Sequence, residues 1–194
     1  MKSITRTGPP LLLIGILLLS GYAAAERQKV KVSETARIFQ EFAKRVEEYA
    51  KLQKQAKREV PPIGADATPA MISNYQSAIA AAIQAARANA LEGDIFFPEV
   101  RSEFRRIIAR ELGGPAGASA RALITEDTPR KIFLRVNAAY PEELPLATAP
   151  PSLLMNLPAL PPELEYRFVN RDLILFDTSA NLIVDFIRDV VPRS

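Results

Sequence analysis

The chain has 194 residues, of which 48% are hydrophobic and 24% are charged, and its formal net charge is +3. These proportions are typical of a globular domain and exclude a collagen-like or wholly disordered chain. The chain contains no Cys and no His, which excludes a thiol nucleophile, an imidazole base, a Ser-His-Asp triad and a His/Cys zinc site. No arrangement of the remaining residues identifies a reaction.

The N-terminal segment has the three parts of a secretory signal peptide. Lys2 and Arg6 supply positive charge, residues 11–19 are almost entirely apolar, and Ala23 and Ala25 are small residues placed for cleavage after Ala25. The apolar run is short for a membrane-spanning helix, which needs about 20 residues. We therefore expect the segment to be removed and the protein to be exported, to the periplasm or outside the cell. An uncleaved membrane anchor is the alternative.

Two helices are predicted in the first half of the chain. Residues 33–58 place apolar side chains at spacings of three and four, which predicts a helix with one buried face that ends before Pro61. Thr68 and Pro69 form an N-cap and a first-turn proline, so a second helix is predicted from Pro69 up to Gly93, a natural C-terminal stop. The positions expected to face the core are Phe39, Phe42, Val46, Tyr49 and Ala56 in the first helix and Ile72, Tyr75, Ile79, Ile83, Ala86 and Ala90 in the second.

Two further helices are predicted before the periodicity changes. Pro98 opens a third helix, which Gly113 and Gly114 end, and a short fourth helix is predicted over residues 119–125. These segments make residues 26–130 a helical region. The inward positions of the third helix are expected to be Val100, Phe104, Ile107, Ile108 and Leu112.

Residues 131–194 change to the alternation that is typical of β-strands. Ile132, Leu134 and Val136 are apolar at every second position, which predicts a strand over residues 131–136 with one buried face. Residues 164–187 predict a three-stranded antiparallel meander. Its tight turns are expected at Asn170-Arg171 and at residues 177–181.

A proline-rich segment connects these parts, since residues 141–162 contain seven prolines and several leucines. It is too apolar for a solvated linker, so we expect polyproline-like pieces packed across the helical layer, with one turn of helix after Ser152. The alternative is a ligand for a proline-recognition module. The whole pattern predicts an α+β protein in which three or four N-terminal helices pack with a small C-terminal antiparallel sheet. Residues 1–25 are the signal peptide, and residues 26–130 and 131–194 are expected to form one domain.

Three runs of sequence carry a resemblance to a known family. They are PEVRSEFRRIIARELGGPAG, RVNAAYPEELPLATAPPSLL and LPPELEYRFVNRDLILFDTSANLIVDFIRDVVP. Together they resemble a family of exported bacterial proteins of uncharacterised function. The terminal meander alone also resembles small periplasmic proteins of the nickel/cobalt-homeostasis type. The resemblance implies export and a build of helices plus hairpins, and it implies no activity or site residues.

The acidic residues offer two alternative sites. One is a site for a hard cation, which prefers oxygen ligands such as those of Asp172, Asp177, Asp185 and Glu165. Aspartates at hairpin turns, however, ordinarily stabilise the turn through hydrogen bonds to the backbone. The pairs Glu47-Glu48 and Glu142-Glu143 are candidates for glycosidase-type chemistry, which needs two carboxyls from separate elements. We predict no catalytic, cofactor-binding or metal-binding residues. Nickel, cobalt and zinc are not expected to bind tightly because imidazole and thiolate ligands are missing, and this opposes the nickel/cobalt resemblance.

The positive charge is concentrated in residues 26–59, which carry ten Lys or Arg and six Asp or Glu. Lys51, Lys54, Lys57 and Arg58 at the end of the first helix form a candidate site. One interpretation is a solvated helix face, and the other is a landing patch for an anionic envelope surface.

The expected function is that of a non-enzymatic binding or interaction protein of the envelope or the extracellular space. Its expected partner is an unknown protein or an anionic envelope surface. We do not expect nucleic acid as a partner, nor a transmembrane segment after signal cleavage. A carboxylate-dependent hydrolase is the alternative.

Overall fold

The predicted α+β class is confirmed by a computed structural model, which describes residues 14–126 and 132–193, with side chains described from Glu34 onward. The first unit of the chain ends at Arg37, and the second unit comprises Ile38–Ser194. The elements are the helices α1 (Ile14–Glu59), α2 (Pro69–Ala86), α3 (Pro98–Leu112), α4 (Ala118–Glu126) and α5 (Pro151–Leu154) and the strands β1 (Ala147–Thr148), β2 (Leu164–Val169), β3 (Asp172–Asp177) and β4 (Leu182–Ile187).

Helices α1 and α3 bury most of the positions that their spacing predicts, whereas in α2 the predicted Ile79 and Ile83 are buried but Ile72 and Ala86 are exposed. In α1 the buried residues include Phe42, Val46, Tyr49 and Ala56, and in α3 they are Val100, Phe104, Ile107, Ile108 and Leu112. The ring of Phe104 lies at the centre of this packing, with ring centroids 5.3 Å from those of Phe42 and Phe96 and 5.7 Å from that of Tyr166. Aromatic residues from α1, α3 and β2 therefore join the helices to the sheet.

Helix α2 begins as predicted but ends earlier. The Thr68 Oγ1 atom accepts a hydrogen bond from the Met71 N–H at 3.3 Å, as an N-cap should. The helix ends at Ala86, whereas the sequence pattern predicted that it continues up to Gly93. The N–H of Ala90 donates to the carbonyl of Arg87, so the chain leaves the helix in a tight turn. The alanines of this stretch fit a helix and a turn equally well, and they give no signal for the boundary.

The sheet is antiparallel with the order β1-β2-β3-β4. Strands β2, β3 and β4 form the predicted meander. Asn170 and Asn181 occupy its two turns with φ angles of 54° and 50°. Asparagine is one of the few residues that adopts this left-handed conformation at low cost, which explains its use at both turns.

The sheet buries both of its faces. One face packs on the helices through Leu164, Tyr166, Phe168, Leu173, Leu175, Leu182 and Val184. The other face forms a second apolar cluster of Val169, Ile174, Phe176, Ile183 and Phe186, which is covered by side chains of residues 132–146. The continuous burial of β4 follows from this two-sided packing.

The strand predicted over residues 131–136 is not formed, although its burial pattern is correct. Residue 131 lies outside the described residues, and residues 132–135 have no strand structure. Leu134 is buried and Phe133 is 95% exposed, as the alternation indicated. The backbone contact with β4 comes later, through Asn137 N–H to Ile183 O and a bridge between Ala139 and Leu182. The alternation of apolar and polar residues indicates which side chains are buried, but it does not determine which residues form backbone hydrogen bonds with a neighbouring strand.

The proline-rich segment packs on both sides of the sheet rather than only across the helices. Leu144 and Leu146 cover the second apolar cluster. Strand β1 then pairs with β2, and α5 packs against α3. The predicted single turn of helix is present as α5, which begins at Pro151, one residue before Ser152. The fourth strand of the sheet therefore comes from this segment.

Candidate functional site

The C-terminal half of α1 presents exposed cations along one side. Lys44, Lys51, Lys54 and Arg58 are exposed, and their spacings of seven, three and four place them on neighbouring positions of the helix surface. We call these four side chains the basic face. Within the described part of the chain, Lys51, Lys54 and Arg58 have no salt bridge or hydrogen bond through their side chains. Their charges are therefore presented to solvent.

Lys57 also belongs to the predicted patch, but unlike the other three cations it is paired and half-buried. Its Nζ atom lies 2.5 Å from Glu163 Oε1, and its side chain is 26% exposed. Glu163 has a φ angle of 71°, and its carbonyl accepts both the N–H and the Oγ1 hydroxyl of Thr178. Lys57 therefore joins α1 to the start of β2, and it is not available as an open cation.

The opposite side of α1 contains polar residues that hold the helix on the sheet. Gln53 is 4% exposed and its Nε2 atom donates to Ser179 Oγ at 3.1 Å. Tyr49 donates its hydroxyl to Asp177 Oδ2 at 2.7 Å. Asp177 also accepts hydrogen bonds from Ser179 and Ala180. Burial and the neighbouring Asp177 carboxylate raise the pKa of Tyr49 well above its usual range.

Asp185 is fully buried in β4 and holds the loop that precedes α3. Its carboxylate accepts the backbone N–H groups of Gly93 at 3.0 Å, Ile95 at 2.9 Å and Phe96 at 2.7 Å, and a fourth from Phe186. Burial raises the pKa of Asp185, and these N–H donors oppose the shift because they stabilise the charged form. The role of Asp185 is therefore structural, since it fixes the loop between α2 and α3 against β4.

A β-bulge in β4 determines the side of the sheet on which Asp185 lies. Leu175 pairs with Asp185, whereas the next residue, Phe176, pairs with Ile183, so Val184 is inserted between them. Val184 and Asp185 both face the helices, although strict alternation would put them on opposite faces. The turn residue Asp177 and the strand residue Asp185 thus lie on the same side of the sheet.

The four acidic residues considered as metal ligands have separate roles. Glu165 pairs with Arg167 at 2.6 Å, and Asp172 accepts the N–H of Asp189 at 2.7 Å. Asp177 and Asp185 are engaged as described above. Over the described ranges, no cluster of three acidic residues has a metal-binding arrangement. The oxygen-ligand alternative therefore has no support from the geometry.

The two glutamate pairs considered for hydrolysis lie at different places. Glu142 lines a cavity of about 480 Å³ beside α2, and Glu48 lines a cavity of about 430 Å³ beside α1. Both residues, with Glu47 and Glu143, are exposed. Glycosidases need two carboxyls facing each other across one cleft. Among the described residues, the lining of the Glu142 cavity contains no second carboxylate. The Glu48 cavity is also lined by Asp94, from the loop between α2 and α3, so its carboxylate from a separate element belongs to neither predicted pair.

Within the described ranges, no helix is both long enough and apolar enough to cross a membrane. Comparison with known proteins gives no significant match: no family model, no curated protein and no solved structure is similar to this chain. The family resemblances therefore stay predictions. The function is inferred from the side chains and geometry described above.

Proposed function

We propose that the protein is an exported, non-enzymatic binding protein that attaches to an anionic lipid surface of the cell envelope through the basic face of α1. The observation that carries the proposal is the contrast between two groups of cations on α1, one paired and half-buried and the other exposed. Arg45 and Lys57 are half-buried and paired with Glu41 and Glu163. The cations of the basic face remain exposed.

Stabilisation of the helix itself accounts for only part of this arrangement. Cations near the C-terminus of a helix interact favourably with its dipole, but the effect fades beyond the last turn. Lys57 and Arg58 are the cations of the last turn of α1. Lys44, Lys51 and Lys54 lie further back, so the dipole does not explain them, whereas attraction to an anionic surface does.

The expected affinity is weak and depends on salt. Each basic residue near an anionic membrane contributes about 1 kcal/mol, so the four contribute at most about 4 kcal/mol at low ionic strength, and the exposed Glu47 beside Lys44 and Lys51 lowers this sum. This attraction is screened beyond about 8 Å in physiological salt. Because the buried face of α1 is already packed through Phe42, Val46 and Tyr49, binding does not require the helix to fold, which avoids an ordering cost.

Co-sedimentation of the exported protein with anionic vesicles tests the proposal. We expect the protein to sediment with vesicles that contain phosphatidylglycerol at low salt and to be released by added salt. The triple variant Lys51→Glu, Lys54→Glu, Arg58→Glu is expected to lose this sedimentation. Circular dichroism should show an unchanged helical signal, because the three side chains are exposed.

A matched control separates this face from net charge in general. Arg106, Arg110 and Arg193 are exposed and lie outside α1, and reversing them to Glu makes the same change in net charge. We expect this control to sediment nearly as the unmodified protein does. Equal loss in both triple variants, or no sedimentation of the unmodified protein at low salt, would contradict the proposal.

A further inference from the structure

A charged cavity of about 430 Å³ lies between α1 and the loop that joins α2 to α3. Its volume is within the range of small-molecule sites. The basic face contributes none of its lining residues, so this is a separate place on the molecule. Its lining residues are Glu41, Arg45, Glu48, Tyr49, Leu52, Arg87, Asp94 and Ile95.

Arg87 is one of the two arginines that line this cavity. Its guanidinium stacks over the ring of Tyr49 at 5.0 Å, and its Nη1 atom donates to Asn137 Oδ1 at 2.8 Å. The two contacts to the carbonyl of Val184 are long, at 3.4 Å each. Burial lowers the pKa of Arg87, and the negative charges of Asp185 and Asp94 oppose this shift.

Arg87 has no carboxylate at salt-bridge distance within the described residues, and its Nε atom has no acceptor there. Asp185 and Asp94 attract this half-buried cation only from beyond salt-bridge distance, so its lost hydration is only partly compensated. Arginine presents a planar fork of donors that matches a carboxylate. The unmatched edge of Arg87 is therefore suited to bind the carboxylate of a ligand.

The other charges of the cavity favour a ligand that also carries a positive group. Arg45 is already neutralised, since its Nε atom donates to Glu41 at 2.8 Å and its Nη1 atom to the carbonyl of Asp94 at 2.7 Å. Within the described residues, the carboxylates of Glu48 and Asp94 have no salt bridge, although Asp94 is attracted by Arg87 and accepts the N–H of Leu91. A purely anionic ligand would meet repulsion from them, whereas an ammonium group would be attracted.

We propose that this cavity binds a free α-amino acid with an aliphatic side chain. The ligand's carboxylate is held by Arg87, its ammonium group is attracted by Glu48 and Asp94, and its side chain packs on Leu52 and Ile95. The proposal rests on the lining of one cavity, which combines a partly compensated cation, carboxylates without salt bridges and two apolar side chains. It does not depend on the basic face.

A methyl NMR titration of the full-length chain tests the proposal, with L-leucine as the probe and labelled isoleucine δ1 methyls as reporters. We expect a saturable shift of the Ile95 methyl with a dissociation constant of about 1 mM. The methyls of Ile174 and Ile183 are internal controls, because both belong to the second apolar cluster. 4-Methylpentanoate, which lacks the ammonium group, should bind about threefold or more weakly, and 3-methylbutylamine, which lacks the carboxylate, should not shift Ile95.

Two variants make the test specific. Arg87→Lys keeps the charge but loses the planar fork, and it should weaken L-leucine binding about tenfold. Arg110→Lys is the matched control, because this exposed residue bonds Glu111 and Asn156 away from the cavity. Glu48→Gln, at an exposed position, should weaken L-leucine binding but not 4-methylpentanoate binding.

Three results would overturn the proposal. One is the absence of a saturable Ile95 shift up to about 50 mM L-leucine. Another is an equal shift of Ile95, Ile174 and Ile183. The third is unchanged L-leucine binding in Glu48→Gln, which would show that the ammonium group is not recognised.

Discussion

At the scale of single residues, the buried polar contacts explain how α1 is fixed against the sheet. Tyr49 and Gln53 point inward from α1 and bond Asp177 and Ser179 in the turn between β3 and β4. Buried side-chain polar atoms of the described residues all have hydrogen-bond partners. The sequence predicted that Tyr49 faces the core, but it could not identify its partner, because Asp177 is 128 positions away.

Replacing Tyr49 by Phe tests the contact between α1 and the turn. The change leaves the buried Asp177 carboxylate without one of its donors, so we expect the free energy of unfolding to fall by about 1–3 kcal/mol. Urea unfolding followed by circular dichroism measures this. Tyr75→Phe is the control, since the Tyr75 hydroxyl has no hydrogen bond to any described residue, and it should change the unfolding free energy by less than about 0.5 kcal/mol.

Alkaline pH gives a second test of the same residue. The folded pKa of Tyr49 is raised by burial and by Asp177, while the unfolded value is about 10. Its stabilising contribution is therefore complete below about pH 10 and is lost as the pH rises above it. We expect the difference in unfolding free energy between the unmodified protein and Tyr49→Phe to narrow by about 1.4 kcal/mol at pH 11 relative to pH 9. An identical difference at the two pH values would mean that Tyr49 is not held neutral by the fold.

At the scale of elements, local signals predicted the starts of α2 and α3, but the start of α1 at Ile14 instead of residue 33 and the end of α2 at Ala86 were not predicted. Thr68, Pro69 and Pro98 mark helix starts through backbone chemistry, so these starts were predicted. The bulge at Val184 and the pairing of Ala139 with Leu182 depend on strands that meet only in the folded chain. Neither feature has a local sequence signal.

The start of α2 offers a quantitative check on the capping argument. Thr68→Ala removes the acceptor for the Met71 N–H, and we expect the free energy of unfolding to fall by about 1 kcal/mol. Thr68→Ser keeps the hydroxyl, so we expect the free energy of unfolding to fall by only about 0.3 kcal/mol. Chemical denaturation of both variants measures the effect. Equal losses in the two variants would show that the hydroxyl is not the stabilising group.

At the scale of the whole molecule, the sequence predicted the class of fold better than the candidate sites. Three cations of the basic face, Lys51, Lys54 and Arg58, could be predicted because their positions need only the helical period of one segment. The charged cavity could not, because Arg87 and Glu48 come from different elements, and only the folded chain shows which cations are already paired. The pairing of Lys57 could not be predicted either, because its partner Glu163 is 106 positions away.

Export is a prediction for the whole chain that an expression experiment can check. We expect the protein made with its own N-terminus in a bacterial host to appear in the exported fraction with Glu26 as its first residue, because Ala23 and Ala25 fit a cleavage site. N-terminal sequencing of that fraction identifies the start. Recovery of an intact chain beginning at Met1 in the membrane fraction would show that the segment is an anchor.

The most direct test of the central claim is lysine acetylation with and without anionic vesicles, read out by mass spectrometry on the unmodified protein. Binding through the basic face predicts that Lys51 and Lys54 react about threefold or more slowly when vesicles containing phosphatidylglycerol are added, and that zwitterionic vesicles have no effect. Lys57, which is held by Glu163, should react slowly in both cases and serves as the internal control. Unchanged reaction rates of Lys51 and Lys54 on vesicle-bound protein would contradict the account.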